Sequence, residues 1–278
     1  MRQYLALVVL FLLPMLSFGA SCTSISVTGL VFGNYSGAAI PITATLTVTC
    51  PSGLAYELAL GPGDSGVATA RYMESGAYTL NYAMYQDAAH SIPWGDVNPT
   101  SEVAGTGTGS AQSYTIFGLL AAGQLLTPGS YTDVVNASVA GGPAATLQVS
   151  TMILSSCLFS STGSMGFGSY TGVEIDITSS ISVTCTNTTA YNLGVDDGQN
   201  STGSYNWAMI GPGSALLAYQ IWQNSQHTKL WGSTPGTDTL PGTGTGSAQM
   251  VSVYGVVSAG HGVTPGSYTD TITLNCTY

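Results

Sequence analysis

Positively charged residues are nearly absent from this sequence. Three Lys and Arg residues stand against thirteen Asp and Glu, and charged residues of both signs make up only 6% of the 278 positions. A nucleic-acid partner requires a series of cations that neutralise its phosphates, and an anionic bilayer requires a basic patch. The composition therefore excludes both nucleic acid and electrostatic membrane binding.

An apolar run of about 20 residues, the length needed to cross a membrane, is also absent. The one pronounced run, Tyr4 to Leu16, follows Arg2 and precedes small residues, which is typical of a signal peptide. We expect residues 1–20 to be removed and the remaining chain to be exported. The mature chain would then begin almost at Cys22.

Catalytic motifs are missing as well. The sequence contains no Gly-x-Ser-x-Gly elbow, no HExxH and no phosphate-binding loop. Asp196-Asp197-Gly198 lacks the further carboxylates of a calcium loop and fits a turn. The sequence thus predicts a protein that is not an enzyme and has no cofactor or metal, although a glycosidase-type carboxylate pair, whose members meet only in space, stays open.

The second half of the chain repeats the first. This repeat indicates two copies of one fold, because ordered matches recur along both halves. The matches are Phe32-Gly33-Asn34-Tyr35 with Phe167-Gly168-Ser169-Tyr170, Trp94-Gly95 with Trp231-Gly232, Thr106 to Gln112 with Thr243 to Gln249, and Pro128 to Asp133 with Pro265 to Asp270.

Apolar residues alternate with polar ones within each copy, which is the pattern of half-buried β-strands. In the run from Ile40 to Cys50 the apolar side chains share one face and the Thr side chains share the other. Clusters of Gly, Pro and Ser separate the runs, and no helical pattern occurs. The sequence predicts an all-β protein of two tandem immunoglobulin-like β-sandwiches, residues 21–154 and 155–278.

The cysteines repeat with the sandwiches. Cys22 and Cys50 have the same spacing as Cys157 and Cys185, so we predict one disulfide in each copy. Each would stabilise its domain by about 3 kcal/mol and require an oxidising compartment. Zinc is the competing interpretation, but the spacing gives it little support.

Cys276 has no partner in this scheme. Its equivalent in the first copy is Val139, and it lies in phase with apolar residues of the last strand. We interpret it as a small buried hydrophobic residue. A reactive thiol or an intermolecular bridge is the alternative.

Taken together, the two cysteines of each copy, Phe-Gly-x-Tyr, Trp-Gly, Gly-Thr-Gly and Pro-Gly-Ser-Tyr-Thr-Asp resemble the spore coat protein U domain. The resemblance covers nearly all of both copies. Subunits of archaic chaperone–usher pili are built from this domain, and a two-copy chain resembles the tip adhesin of such a pilus. The resemblance implies a periplasmic chaperone, an outer-membrane usher and a next pilin subunit as partners.

The two copies differ after their Tyr-Thr-Asp strands. The first continues into an alternating stretch in which Leu147, Val149 and Ile153 point one way, and this stretch can complete its sandwich. The second ends at Tyr278. We therefore expect an open groove in the second domain, lined by Ile272, Leu274 and Cys276 and filled by a strand from another subunit.

The chain ends also suggest a position in the fibre. A subunit that accepts a strand but has no spare N-terminal segment to donate is expected at the pilus tip, on the cell surface. Tip adhesins of this family, as the resemblance suggests, bind through apolar loops at the far end of the first domain.

The first copy is more apolar than the second in one loop, so we predict an adhesive loop with Leu119, Leu120, Leu125 and Leu126, and a weaker candidate in Ile92. The alternative is that Leu119 and Leu120 simply end a core strand.

Two functions of different class remain, with a lectin as a third possibility. The first is a pilus tip adhesin that mediates bacterial attachment and biofilm formation. The alternative is a structural coat or surface-layer protein in which no strand is exchanged, and the identity of any ligand lies beyond the sequence.

Overall fold

The computed structural model describes residues 21–97, 100–161 and 163–278. The predicted signal peptide, residues 1–20, lies outside these ranges. The described chain consists of β-strands with two 3₁₀ turns, Gly63–Ser65 and Pro212–Ser214. No helix in these ranges is long and apolar enough to span a membrane. The prediction of an all-β protein is confirmed.

The described residues of the first domain form ten strands. They are β1 Ser24–Val27, β2 Leu30–Asn34, β3 Ile40–Thr49, β4 Ala55–Leu60, β5 Tyr72–Ser75, β6 Tyr78–Tyr85, β7 Val103–Thr106, β8 Ala111–Leu120, β9 Gly129–Val139 and β10 Ala144–Ile153. One layer is ordered β1-β3-β8-β6, the other contains β7-β4-β9-β10-β2, and β5 joins β6 to β9.

The strand β10 completes this sandwich. It pairs antiparallel with β9 from Ala144 to Ile153 and parallel with β2 on its other side. Its inward side chains Leu147, Val149 and Ile153 are buried. The alternation of apolar and polar residues decides which face turns inward, since successive side chains of a strand point to opposite faces.

In the second domain, the part of the chain that the structure describes contains eight strands. They are β11 Cys157–Ser161, β12 Ile175–Cys185, β13 Ala190–Val195, β14 Trp207–Ile210, β15 Leu216–Trp222, β16 Leu240–Thr243, β17 Ala248–Val257 and β18 Leu274–Thr277. One sheet is ordered β11-β12-β17-β15-β14 and the other β16-β13-β18. The repeat is therefore visible in the fold, because β12-β17-β15 corresponds to β3-β8-β6.

Each domain has its own apolar core and its own disulfide. Trp94 and Trp231 are fully buried at equivalent positions, and their indole N–H groups donate to the carbonyl oxygens of Leu58 and Leu193. The Cys22–Cys50 and Cys157–Cys185 disulfides are both present. The two predicted disulfides are confirmed, and the tryptophans are core residues.

A truncation in β10 tests its packing. We expect Leu147→Ala to lower the free energy of unfolding of the first domain by about 3 kcal/mol, because Leu147 is fully buried and the cavity would persist. Gln148→Ala, at the exposed neighbouring position, should change it by less than about 0.5 kcal/mol. Urea denaturation of both variants measures the difference, and equal midpoints would contradict the packing described.

Candidate functional site: an open groove in the second domain

A groove of about 400 Å³ opens along the side of the second domain. One wall is formed by residues 163–167 and the other by residues 268–274. Its floor consists of core side chains of both sheets. The residues that line it are Gly163, Ser164, Met165, Phe167, Ser179, Ile181, Val195, Met209, Tyr219, Val253, Tyr268, Thr269, Asp270, Thr271, Ile272 and Leu274.

This groove lies where the first domain holds β10. Residues 165–169 are equivalent to β2 but form no strand, and in residues 266–276, the segment equivalent to β9, the strand begins only at Leu274. The backbones of Thr269, Thr271 and Thr273 form hydrogen bonds with those of Ile210, Gln199 and Asp196, respectively. This wall is therefore hydrogen-bonded on the side that faces β13 and β14. Within the described ranges, no strand pairs with the groove side of either wall.

The missing strand leaves core positions partly uncovered. Leu30 and Val135 of the first domain are fully buried, whereas their equivalents Met165 and Ile272 are only half-buried. Phe167 is likewise less buried than its equivalent, Phe32. The groove is therefore an apolar surface that a β-strand of suitable register can cover.

A carboxylate lies at the edge of the groove. Asp270 accepts hydrogen bonds from the Tyr219 hydroxyl at 2.8 Å, the Asn200 side-chain amide at 3.0 Å and the Gln199 backbone N–H at 3.1 Å. Burial, and next the hydrogen bond to Asp270, raise the pKa of Tyr219 far above its usual value. The phenol therefore stays protonated as a donor and anchors the wall of the open groove.

The equivalent hydrogen-bond network in the first domain is buried. Asp133 is buried and accepts from the Tyr82 hydroxyl at 2.5 Å and the Asp64 backbone N–H at 2.9 Å. Arg71, also buried, donates to the carbonyl oxygens of Gly61 and Trp94. Sequence reasoning missed this arginine, because a single Arg between loops gives no signal of burial.

Of the three residues predicted to line the groove, the structure places two there. Ile272 and Leu274 do line it. Cys276 does not: it lies further along the last strand, on β18, beside the Cys157–Cys185 disulfide. Its placement among the groove residues was wrong, because the groove ends before the disulfide end of the domain.

The predicted adhesive loop also needs correction. Leu120 is fully buried at the end of β8, so it is a core residue, and Leu119 is half-buried on the same strand. Leu125 is 55% exposed and lies near Gly246 of the second domain, and the Leu126 carbonyl oxygen accepts from the Asn187 backbone N–H at 2.7 Å. This loop therefore faces the domain junction instead of the free end.

Other exposed apolar side chains also occur on the first domain. Ile92 is 49% exposed in the turn between Tyr85 and Pro93. This turn follows the end of β6 that is remote from the domain junction. Val67 and Val97 are 52% and 57% exposed, and they flank a close approach of Ala68 to Gly95. Sequence reasoning missed both valines, since isolated apolar residues in loops form no pattern.

The residues that could bind a metal ion make structural contacts instead. Asp196 accepts hydrogen bonds from the Gly198 and Thr273 backbone N–H groups, as expected of a turn. The one cluster of possible metal ligands found within the described ranges is Cys157, Cys185 and Cys276. Two of these sulfurs form a disulfide, which argues against the zinc alternative.

One solved structure of similar fold comes from a chaperone-usher pilus system. The chain matches the CsuC–CsuE chaperone–tip adhesion subunit pre-assembly complex of the archaic chaperone-usher Csu pili of Acinetobacter baumannii with a TM-score of 0.53 and 16% identity, over 92% of this chain and 100% of the matched chain. The CupB6 tip adhesin of Pseudomonas aeruginosa is matched over 93% of this chain and 94% of that chain, with 13% identity and a TM-score of 0.37. The fold is thus that of a pilin-type adhesin.

The sequence assigns the family. The Spore Coat Protein U domain matches residues 9–138 and again residues 144–275, so the chain belongs to this family with two copies of its domain. Protein U of Myxococcus xanthus is 31% identical over 130 residues, which is 42% of this chain and 72% of that protein. The family is thus that of the Spore Coat Protein U domain, and the fold is that of pilin-type adhesin domains.

The two Tyr–Asp pairs allow a matched test of the open site. We expect Tyr82→Phe to destabilise the first domain by about 1–3 kcal/mol, because it removes a donor from a buried carboxylate. Tyr219→Phe should cost the second domain less, since water reaches the half-exposed Asp270 from the groove. Calorimetry that resolves the two domain transitions measures both shifts, and a larger loss for Tyr219→Phe would show that the groove is closed.

Proposed function

We propose that this chain is the tip adhesin subunit of a chaperone–usher pilus, which mediates bacterial attachment and biofilm formation. It is exported through the periplasm and displayed at the cell surface. The observation that carries the proposal is the open groove of the second domain, at the place where β10 closes the first. A strand donated by the next pilin subunit fills this groove and joins the subunit to the fibre.

The first domain provides a template for the donated strand. In β10, Leu147 lies opposite Val135, Val149 opposite Asp133 and Thr151 opposite Tyr131. The equivalent wall residues of the groove are Ile272, Asp270 and Tyr268. A donor that runs antiparallel to this wall with apolar side chains at alternate positions would cover the half-buried core residues and satisfy the free edge of the sheet.

The proposed partners follow from the exposed groove. An uncovered apolar edge is prone to aggregation, so a periplasmic chaperone covers it until an outer-membrane usher brings the next subunit. The similarity in fold to the tip adhesion subunit of the CsuC–CsuE complex supports this assignment.

Grafting β10 onto the second domain tests the groove. By the repeat, Tyr278 is equivalent to Gly141, so residues 142–154 can be appended directly after Tyr278. We expect the graft to raise the melting temperature of the second domain by about 10 °C, because several apolar side chains become buried. The matched control is a graft with Leu147→Ser, Val149→Ser and Ile153→Ser. Equal melting temperatures for graft and control would overturn the strand-acceptor proposal.

Adhesion is proposed to use the exposed apolar residues of the first domain. We expect Ile92→Ser with Val97→Ser to reduce attachment of pilus-bearing cells to an apolar surface several-fold, since both side chains are exposed in loops. Val134→Ser is the control, because Val134 is 47% exposed but lies on the outer face of β9. Unchanged adhesion of the double variant, with normal assembly, would exclude this surface.

The family description favours a second candidate, a structural coat or surface-layer protein that exchanges no strand. The two functions differ in stoichiometry. Co-expression with the periplasmic chaperone, followed by mass spectrometry of the intact complex, should give a one-to-one complex for a tip subunit. A coat protein should remain free of chaperone and be abundant along the surface.

A further inference from the structure

Three sulfur atoms meet at the disulfide end of the second domain. The Sγ atoms of Cys157, Cys185 and Cys276 all lie within 4.8 Å of one another. Cys157 and Cys185 form the disulfide, and Cys276 is a free thiol. Cys185 is buried, whereas Cys157 and Cys276 are half-buried, so a thiol is held against a disulfide at an accessible edge of the core.

Long-range strand pairing creates this cluster. Cys157 and Cys185 pair across β11 and β12 in one sheet, while Cys276 pairs with Leu193 across β18 and β13 in the other. In the first domain, Val139 occupies the position equivalent to Cys276 and is buried. The first domain thus has the same disulfide with an inert methyl-bearing side chain in place of the thiol.

We infer that Cys276 and the Cys157–Cys185 disulfide form a thiol–disulfide exchange site, independent of the proposed adhesin function. The Cys276 thiolate attacks the Sγ of Cys157 or Cys185, and a new disulfide to Cys276 forms as the existing S–S bond breaks. The displaced cysteine leaves as a thiolate and takes up a proton. The number of disulfides is unchanged, so the step needs no external oxidant or reductant.

The exchange changes which strands are cross-linked. The existing disulfide joins the neighbouring strands β11 and β12 of one sheet. A disulfide to Cys276 would instead join the two sheets and tie down β18, which continues directly from the groove wall, residues 268–274. The exchange therefore couples the thiol to the position of the wall that carries Ile272 and Leu274.

The thiol is not strongly activated. Burial raises the pKa of Cys276, and burial, followed by the nearby charge of Cys276, raises the pKa of the Tyr191 phenol. A raised pKa leaves less thiolate at neutral pH, and the thiolate is the attacking species. We therefore expect slow exchange at neutral pH and faster exchange as the pH rises toward the pKa of the thiol.

The location of the free thiol in the full-length protein tests the site. Incubation at pH 8.5 without reductant, followed by alkylation and non-reducing peptide mapping, should place the alkyl group on Cys157 or Cys185 in part of the molecules. Cys276-linked peptides should accompany it. A label found only on Cys276 after prolonged incubation at pH 8.5 would overturn the inference.

Variants provide the controls. Cys276→Val, which copies Val139, should abolish the exchanged peptides and leave Cys157–Cys185 intact. Val139→Cys should create exchange with Cys22–Cys50 in the first domain, where wild type has none. If Val139→Cys shuffles its disulfide while wild-type Cys276 never does, the second domain holds its thiol out of reach and the proposal is wrong.

Discussion

A β-strand at the open edge of a sandwich carries a row of backbone N–H and C=O groups that need partners. In the first domain, β10 supplies them to both β9 and β2. In the second, the equivalent edges face each other across a groove with no strand of the described chain between them. Core burial, the exposure of the groove walls and the proposed mode of assembly all depend on this one pairing.

Because the two domains are copies of one fold, their equivalent residues can be compared to show where the missing strand reduces burial. The layer β12-β17-β15 matches its counterpart in the first domain, and Val183 and Ile221 there are fully buried. The loss of burial includes the groove residues Met165, Phe167 and Ile272, whose equivalents in the first domain are buried. Because Tyr219 and Asn200 still hold Asp270, the wall keeps its polar anchor without β10. An incoming strand would therefore meet a groove whose floor is already formed.

The sequence predicted what local periodicity and repetition encode. The alternation in β3 and β10, the two disulfides and the tandem sandwiches are all present in the structure. Contacts between segments that are distant in the sequence could not be predicted from it. Leu125 and Leu126 have the same apolar character whether they meet solvent or a second domain, and the approach of Cys276 to the disulfide depends on the packing of two sheets. Burial of Arg71 likewise arises from three loops that converge in space.

The domain junction bears on how copies of this chain can join. Leu125 and Leu126 contact the second domain, and Asn187 bonds to the loop through its backbone N–H and its side-chain amide. The equivalent of Leu125 in the second domain is Gly262, and the equivalent of Asn187 in the first is Ser52. A second copy stacked end to end would therefore lack both the apolar side chain and the amide that make this contact. The contact at the junction therefore uses residues that differ between the two copies of the domain.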